Sequence, residues 1–201
     1  EVMKYHYITI EREYGSAGTE IGKKTAERAG VSCCTSEVYE KVAARLGMSA
    51  KEVERREEST TNSFLYSIAM LINAQSGKSD TLSTEQQIYL SMQRAVKEAA
   101  EQGRCVFVGH CAGEALRDRG GVLRVFIRAD YESKKDRIIK EYGVDKGSVD
   151  KVMEKNNRRR RSAYYANTMK KWDAAENYDM VLDSGKLGVE TCVQILSGLL
   201  L

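Results

Sequence analysis

Proline does not occur anywhere in this sequence of 201 residues. The strongest punctuation of secondary structure is therefore missing, and element ends must be marked by glycine, capping side chains and periodicity. Aromatic residues are scarce at 7%, and neither sign of charge dominates: 32 basic residues stand against 29 acidic ones, for a net +3. That near-balance argues against a partner drawn by bulk charge, such as nucleic acid or an anionic membrane. No apolar run nears the ~20 residues of a membrane-spanning helix, and Glu1-Val2-Met3-Lys4 carries no signal-peptide pattern. Two histidines and five cysteines, none in a CxxC spacing, leave little with which to build a Cys/His metal centre. The odd number of thiols reads as a reduced set, which points to the cytoplasm. The adjacent Cys33 and Cys34 read as small apolar packing residues.

What is present suits one globular domain with inserted lobes: 42% of residues are hydrophobic and 30% charged. Strands are predicted at Tyr5–Ile10, Cys105–Gly109, Leu123–Arg128 and Met180–Leu182, with a weaker one at Val31–Cys34. Their short β-branched and aromatic runs are those of buried parallel strands. Helical patterns fall at Thr19–Ala29, Ser36–Leu46, Ser49–Glu58, Thr84–Gln102, Tyr131–Tyr142, Ser148–Lys171 and Gly188–Leu200, and Ser83-Thr84-Glu85-Gln86 spells a capping box. Alternation of the two types predicts a three-layer α/β/α fold around a mostly parallel five-stranded sheet. Two stretches break the alternation, Ser36 to about Leu90 and Glu141–Lys171, and both are expected as helical lobes at the sheet's carboxyl edge. The expected division is a core of 1–34 and 100–201, an insert of about 35–99 and a lid of about 141–171.

The stretch "YITIEREYGSAGTEIG" passes from strand to glycine-bearing turn to helix, the layout of a phosphate-binding loop. The lysine of such loops is missing, for Gly18 or Thr19 stands in its place. Gly15, Ser16, Ala17 and Gly18 are small enough for backbone N–H groups to approach an anion, and the following helix start favours negative charge. Thr19 is placed to cap that helix and to offer a hydroxyl to a phosphate-bound magnesium ion. Arg12, at the start of the turn, is the best candidate for the absent charge. A turn of this kind is equally a common packing geometry, and the turn alone does not separate the two readings. Ser76-Gly77-Lys78-Ser79 does contain Gly-Lys-Ser, but Ile72 stands where its first glycine belongs, and it reads as a polar loop.

Four segments in order carry a resemblance: "ITIEREYGSAGTEIG", "TNSFLYSIA" (Thr61–Ala69), "CVFVGHCAGEALRD" (Cys105–Asp118) and "RSAYYANTMKKWDAAENYDMVLDSGKLGVE" (Arg161–Glu190). Together they resemble the cytidylate kinase-like family of P-loop nucleoside monophosphate kinases, whose own phosphate loop is degenerate. The resemblance implies ATP with Mg2+ as donor, a nucleoside monophosphate, CMP or dCMP, as acceptor, and a loop at Gly15–Thr19 that cradles the donor phosphates. It places Ser36, Ser63, Tyr66 and His110 around the acceptor. His6 is expected packed in the first strand, while His110 contacts an acceptor phosphate or caps the next helix. Asp183 is expected to cap the final helix.

Three departures from the family pattern stand at functional positions. His110 replaces an arginine, Thr35-Ser36-Glu37 replaces Asp-Lys/Arg-Glu, and Arg158-Arg159-Arg160-Arg161 replaces Asp-x-x-Arg. Arg158 and Arg161, three apart on a helix, are expected to share the face that grips the moving phosphoryl group, with Arg159 and Arg160 turned away and Arg137 adding a third cation. Small-molecule nucleotides are the expected partners, with no nucleic acid and no membrane; a homo-oligomer is left open. A catalytically degenerate nucleotide-binding or regulatory protein of the same fold is the second reading, and an RNA-binding protein using the arginine run the third.

Overall fold

The computed structural model describes residues 5–59 and 83–200. Five strands form one sheet, β1 (Tyr7–Arg12), β2 (Ser32–Cys34), β3 (Cys105–Val108), β4 (Val122–Arg128) and β5 (Met180–Asp183), in the order β2-β3-β1-β4-β5. Every strand pair is parallel. The expected strands are thus all present, and the sheet is wholly rather than mostly parallel. Helices are α1 (Gly18–Ala29), α2 (Glu37–Leu46), α3 (Ala50–Ser59), α4 (Thr84–Glu101), α5 (Ala112–Ala115), α6 (Tyr131–Lys140), α7 (Val149–Thr168), α8 (Ser184–Leu187) and α9 (Val189–Leu199).

Alternation of side chains along the strands divides the core in two. On one face Ile8, Ile10, Val106, Val108, Val125 and Ile127 pack with Ile21 of α1 and Leu196 of α9. On the other Tyr7, Phe107 and Val122 meet Val96 of α4 and Leu116. Tyr7 keeps its hydroxyl satisfied there by donating to the Ala100 carbonyl at 2.8 Å. Helices α2, α3 and α4 share a separate cluster built on Val42, Val53, Ile88 and Met92.

Local chemistry explains most boundaries. The capping box is formed, with Gln86 N donating to Ser83 Oγ at 3.2 Å and Ser83 N to Gln86 Oε1 at 2.8 Å. Asp130 caps α6 by accepting from Ser133 N at 2.9 Å. Other details differ from expectation. β1 starts and ends two residues later than predicted, which carries Glu11 and Arg12 into the strand; Tyr5 makes only an isolated bridge to Leu200. His6 precedes the strand and is exposed rather than packed within it. Asp183 caps the short α8, accepting from Lys186 N at 3.3 Å, rather than the final helix.

Because β1 pairs with β3 on one side and β4 on the other, while its own helix leads away to β2, the chain reverses direction across the sheet beside β1. In open parallel sheets the crevice outside the carboxyl ends at such a point is where ligands bind.

Candidate active site

The turn after β1 is held from three sides. Tyr14 N donates to Asn157 Oδ1 of α7 at 2.7 Å, Arg137 of α6 donates to the Gly15 carbonyl at 3.3 Å, and Ser184 Oγ donates to the Ser16 carbonyl at 2.7 Å. Gly15 has φ +85°, and a Cβ there would lie 2.9 Å from Ile138 Cδ1 and 3.0 Å from the Lys134 carbonyl oxygen. Only glycine fits both the conformation and the space. A Cβ on Gly18 would overlap the stem of Arg12, which lies directly on it. Ala17 adopts φ 58° at the start of α1 without a side-chain cap.

This leaves a set of donors. Among the described residues no protein acceptor meets the N–H of Ala17, Gly18, Thr19 or Glu20, although Ala17 and Gly18 are buried. Buried amides without acceptors are costly, and four at the start of a twelve-residue helix make an anion site by charge and by dipole. The donor set therefore fits the phosphates of a nucleotide. Among the described residues no cluster of three or more His, Cys, Asp or Glu is arranged to hold a metal ion. The Thr19 hydroxyl accepts from Arg12 Nε at 3.4 Å.

Beside the turn, over the β1–β3 edge, opens a cavity of 340 Å³. Arg12, Lys23, Arg159 and Arg160 bring positive charge to its wall, and Glu11, Glu54 and Glu57 bring negative charge. Arg160 also donates to the Arg12 carbonyl at 2.9 Å and lies over the Tyr14 ring, 5.6 Å from its centre. Burial pushes the Glu11 carboxyl up from its ordinary range, against the lowering pull of Arg12 and of the Trp172 indole, which donates to it at 3.2 Å. His110 closes the far wall. Its Nε2 lies 2.7 Å from the Thr35 carbonyl and its Nδ1 lies 3.4 Å from Glu57 Oε1.

The predicted residues divide. Arg12, Thr19, Ser36 and His110 all line this cavity. Ser36 begins α2 without a side-chain capping bond of its own. Gly15, Ser16, Ala17 and Gly18 form the buried turn beside the cavity and are not on its wall. The arginine run faces the opposite way from the expectation. Arg158 and Arg161 are exposed, whereas Arg159 and Arg160 line the cavity on a stripe with Asn156 and Ala163, at helical spacings of three, four and seven. The phase is set by that stripe, which four identical residues in succession cannot reveal. Arg137 is likewise not on the cavity wall, for its guanidinium is held by Glu141 at 3.2 Å and by the Gly15 carbonyl. Ser63, Tyr66 and the Ser76–Ser79 loop lie outside the described residues. Sequence reasoning missed Glu11, Tyr39, Glu57 and Asn157. The polar residues Glu11 and Arg12 at the end of β1, where a buried strand should be apolar, were the available signal.

A model of the cytidylate kinase-like family matches residues 7–186. The chain belongs to that family. The cytidylate kinase of Archaeoglobus fulgidus is 27% identical over 194 residues, covering 94% of this chain and 91% of that protein. Among solved structures, an uncharacterized protein from Eubacterium ventriosum superposes with a TM-score of 0.70 at 23% identity, over 94% of both chains. Shikimate kinase from Bacteroides thetaiotaomicron superposes with a TM-score of 0.50 at 13% identity, over 96% of this chain and 97% of that one. In a chain of this family the crevice, the start of α1 and the α7 arginines Arg159 and Arg160 thus lie together, without a lysine in the loop. No described helix is long and apolar enough to cross a membrane.

Proposed function

We propose that the protein is a cytoplasmic kinase that transfers a phosphoryl group from Mg-ATP to a nucleoside monophosphate, CMP or dCMP. The observation that carries this reading is the meeting of acceptor-free amides at the start of α1 with Arg12, Arg159 and Arg160 beside one cavity, in a chain of this family. Bound Mg-ATP supplies the phosphoryl group and a metal that neutralises its charge. The chain's own work is to bind and orient. The α1 amides hold phosphate oxygens, with the Thr19 hydroxyl beside them for the phosphate-bound metal. Guanidiniums stand in for the missing lysine, permanently charged at neutral pH and able to grip two oxygens at once. No side-chain nucleophile or covalent enzyme intermediate is needed: an oxygen of the acceptor's phosphate forms the new bond to phosphorus as ADP leaves, so the protein's part is positioning and charge. Ser36, Ser63 and Tyr66 are proposed on the acceptor side.

The test is ADP release measured across CMP, dCMP, UMP, AMP and hydroxyl-bearing acceptors such as shikimate. Turnover with CMP or dCMP above all others is expected; no turnover with any acceptor overturns the kinase reading. One observation favours a second reading, a nucleotide-binding regulator without turnover: Asn157 and Arg160 of the lid already occupy Tyr14 N and the Arg12 carbonyl at the loop. Thermal stabilisation by ATP together with absent transfer is its signature.

A further inference from the structure

His110 lies in a backbone conformation that has to be enforced. Gly109, His110 and Cys111 carry φ of 81°, 59° and 50° in succession. Non-glycine residues enter this left-handed region at a cost, and two together persist only where neighbours hold them. The neighbours are visible. Gln93 of α4 donates to the His110 carbonyl at 3.4 Å, the Tyr39 ring of α2 meets the imidazole edge-on at 4.8 Å, and the ring itself is held between Thr35 and Glu57.

The groups around the ring favour its charged form. A backbone carbonyl only accepts, so Nε2, 2.7 Å from the Thr35 oxygen, must carry a hydrogen. Nδ1 is buried and makes no hydrogen bond of good geometry, but it faces the Glu57 carboxylate at 3.4 Å, a contact that a second hydrogen on the ring turns into an ion pair. A neutral ring would satisfy Thr35 and turn a lone pair on the buried carboxylate. The other oxygen of Glu57 takes the Tyr39 hydroxyl at 2.5 Å. With Nε2 bonded to the Thr35 carbonyl and the buried Nδ1 turned toward the Glu57 carboxylate, His110 faces protein rather than an acceptor phosphate, the role its position suggests.

We infer that His110 is a positioning residue: its doubly protonated ring fastens α3, through Glu57, and the turn before α2, through Thr35, to the end of β3, and so shapes the acceptor wall of the cavity. Its functional consequence rests on the kinase reading; the clamp itself does not. Among the described residues the charged and titratable groups around it are Glu57 from α3, Tyr39 from α2, Glu11 and Arg12 from β1, and Cys34 from β2. Burial works against the charged ring, and Arg12 opposes it too. Glu57 and the Thr35 carbonyl outweigh both and raise the His110 pKa above its ordinary 6.5. Burial likewise works against the Glu57 anion, and His110 with Tyr39 outweighs it, lowering that pKa below 4.5. The sign follows. The stability contributed by His110 is complete below pH 6.5 and is lost as pH rises through its folded pKa. The contribution of Glu57 is complete above pH 4.5 and is lost as pH falls through its own.

The test is an NMR titration of the histidine ring signals, with His6→Gln to assign the only other histidine. His110 is expected to remain doubly protonated above pH 6.5 in the wild type, and to fall below that value in Glu57→Gln, where burial acts unopposed by the carboxylate. A wild-type midpoint below 6.5, or no movement in Glu57→Gln, overturns the clamp whether or not any acceptor turns over. Where turnover is found, the acceptor KM is expected to rise as pH passes through the same midpoint. His110→Gln is expected to raise it about tenfold at pH 6 while kcat falls by far less. An acceptor KM flat across that range refutes the functional half and leaves the kinase reading standing.

Discussion

Arg158 and Arg160 stand two residues apart on α7 and meet different surroundings. Arg158 is exposed, whereas Arg160 lines the cavity and reaches the Arg12 carbonyl. A guanidinium that bonds phosphate contributes about 1.5–3 kcal/mol through a charge-assisted hydrogen bond, which is roughly a 10- to 150-fold effect. Arg160→Ala is therefore expected to lower kcat/KM by about that factor, and Arg158→Ala by less than twofold, in the same ADP-release assay. A larger loss for Arg158→Ala would show that α7 turns its other face inward during turnover. Arg159, on the same wall, belongs with Arg160.

At the scale of elements, the fold was legible and the site only in part. All five strands were found because buried parallel strands are short, β-branched runs that stand out between helical patterns. The end of β1 was placed too early because the reading stopped at Ile10, the last apolar residue, while the strand continues through Glu11 and Arg12 to the site. Helices α5 and α8 have four residues each, too few to show a period. The turn was visible from its glycines. The His110–Glu57–Tyr39 cluster was not, because it joins residues of three separate elements that only the tertiary fold brings together. Trp172 shows the same dependence on packing: it is 1% exposed, stands edge-on to Phe126 of β4 at 5.1 Å, and donates to Glu11 of β1. It fastens the connection between α7 and β5 to the sheet. Trp172→Ala is expected to cost about 3–5 kcal/mol. Trp172→Phe, which keeps a ring but removes the donor to a buried carboxylate, should cost about 1–3 kcal/mol. Urea unfolding of the three proteins checks the order; no loss in Trp172→Phe would show that the indole N–H contributes nothing.

For the whole molecule, the acceptor-free amides of the helix start set up a coupling between ligand and stability. Anything that binds the folded chain alone stabilises it by mass action, by about 2.7 kcal/mol at a hundred times its dissociation constant. In a chain of this size each kcal/mol moves the melting temperature by about 2–4 °C, so saturating Mg-ATP should raise it by roughly 5–11 °C. An acceptor should add its own increment, and Arg160→Ala should reduce the Mg-ATP increment, because the side chain lies at the loop. The measurement separates two ideas that turnover alone confuses. A rise with Mg-ATP and no transfer describes a nucleotide-binding regulator; a rise with transfer describes the kinase. No rise with Mg-ATP at any concentration would mean that the α1 amides do not receive phosphate. The turn would then be a packing device, its glycines explained by Ile138, Lys134 and the stem of Arg12 alone.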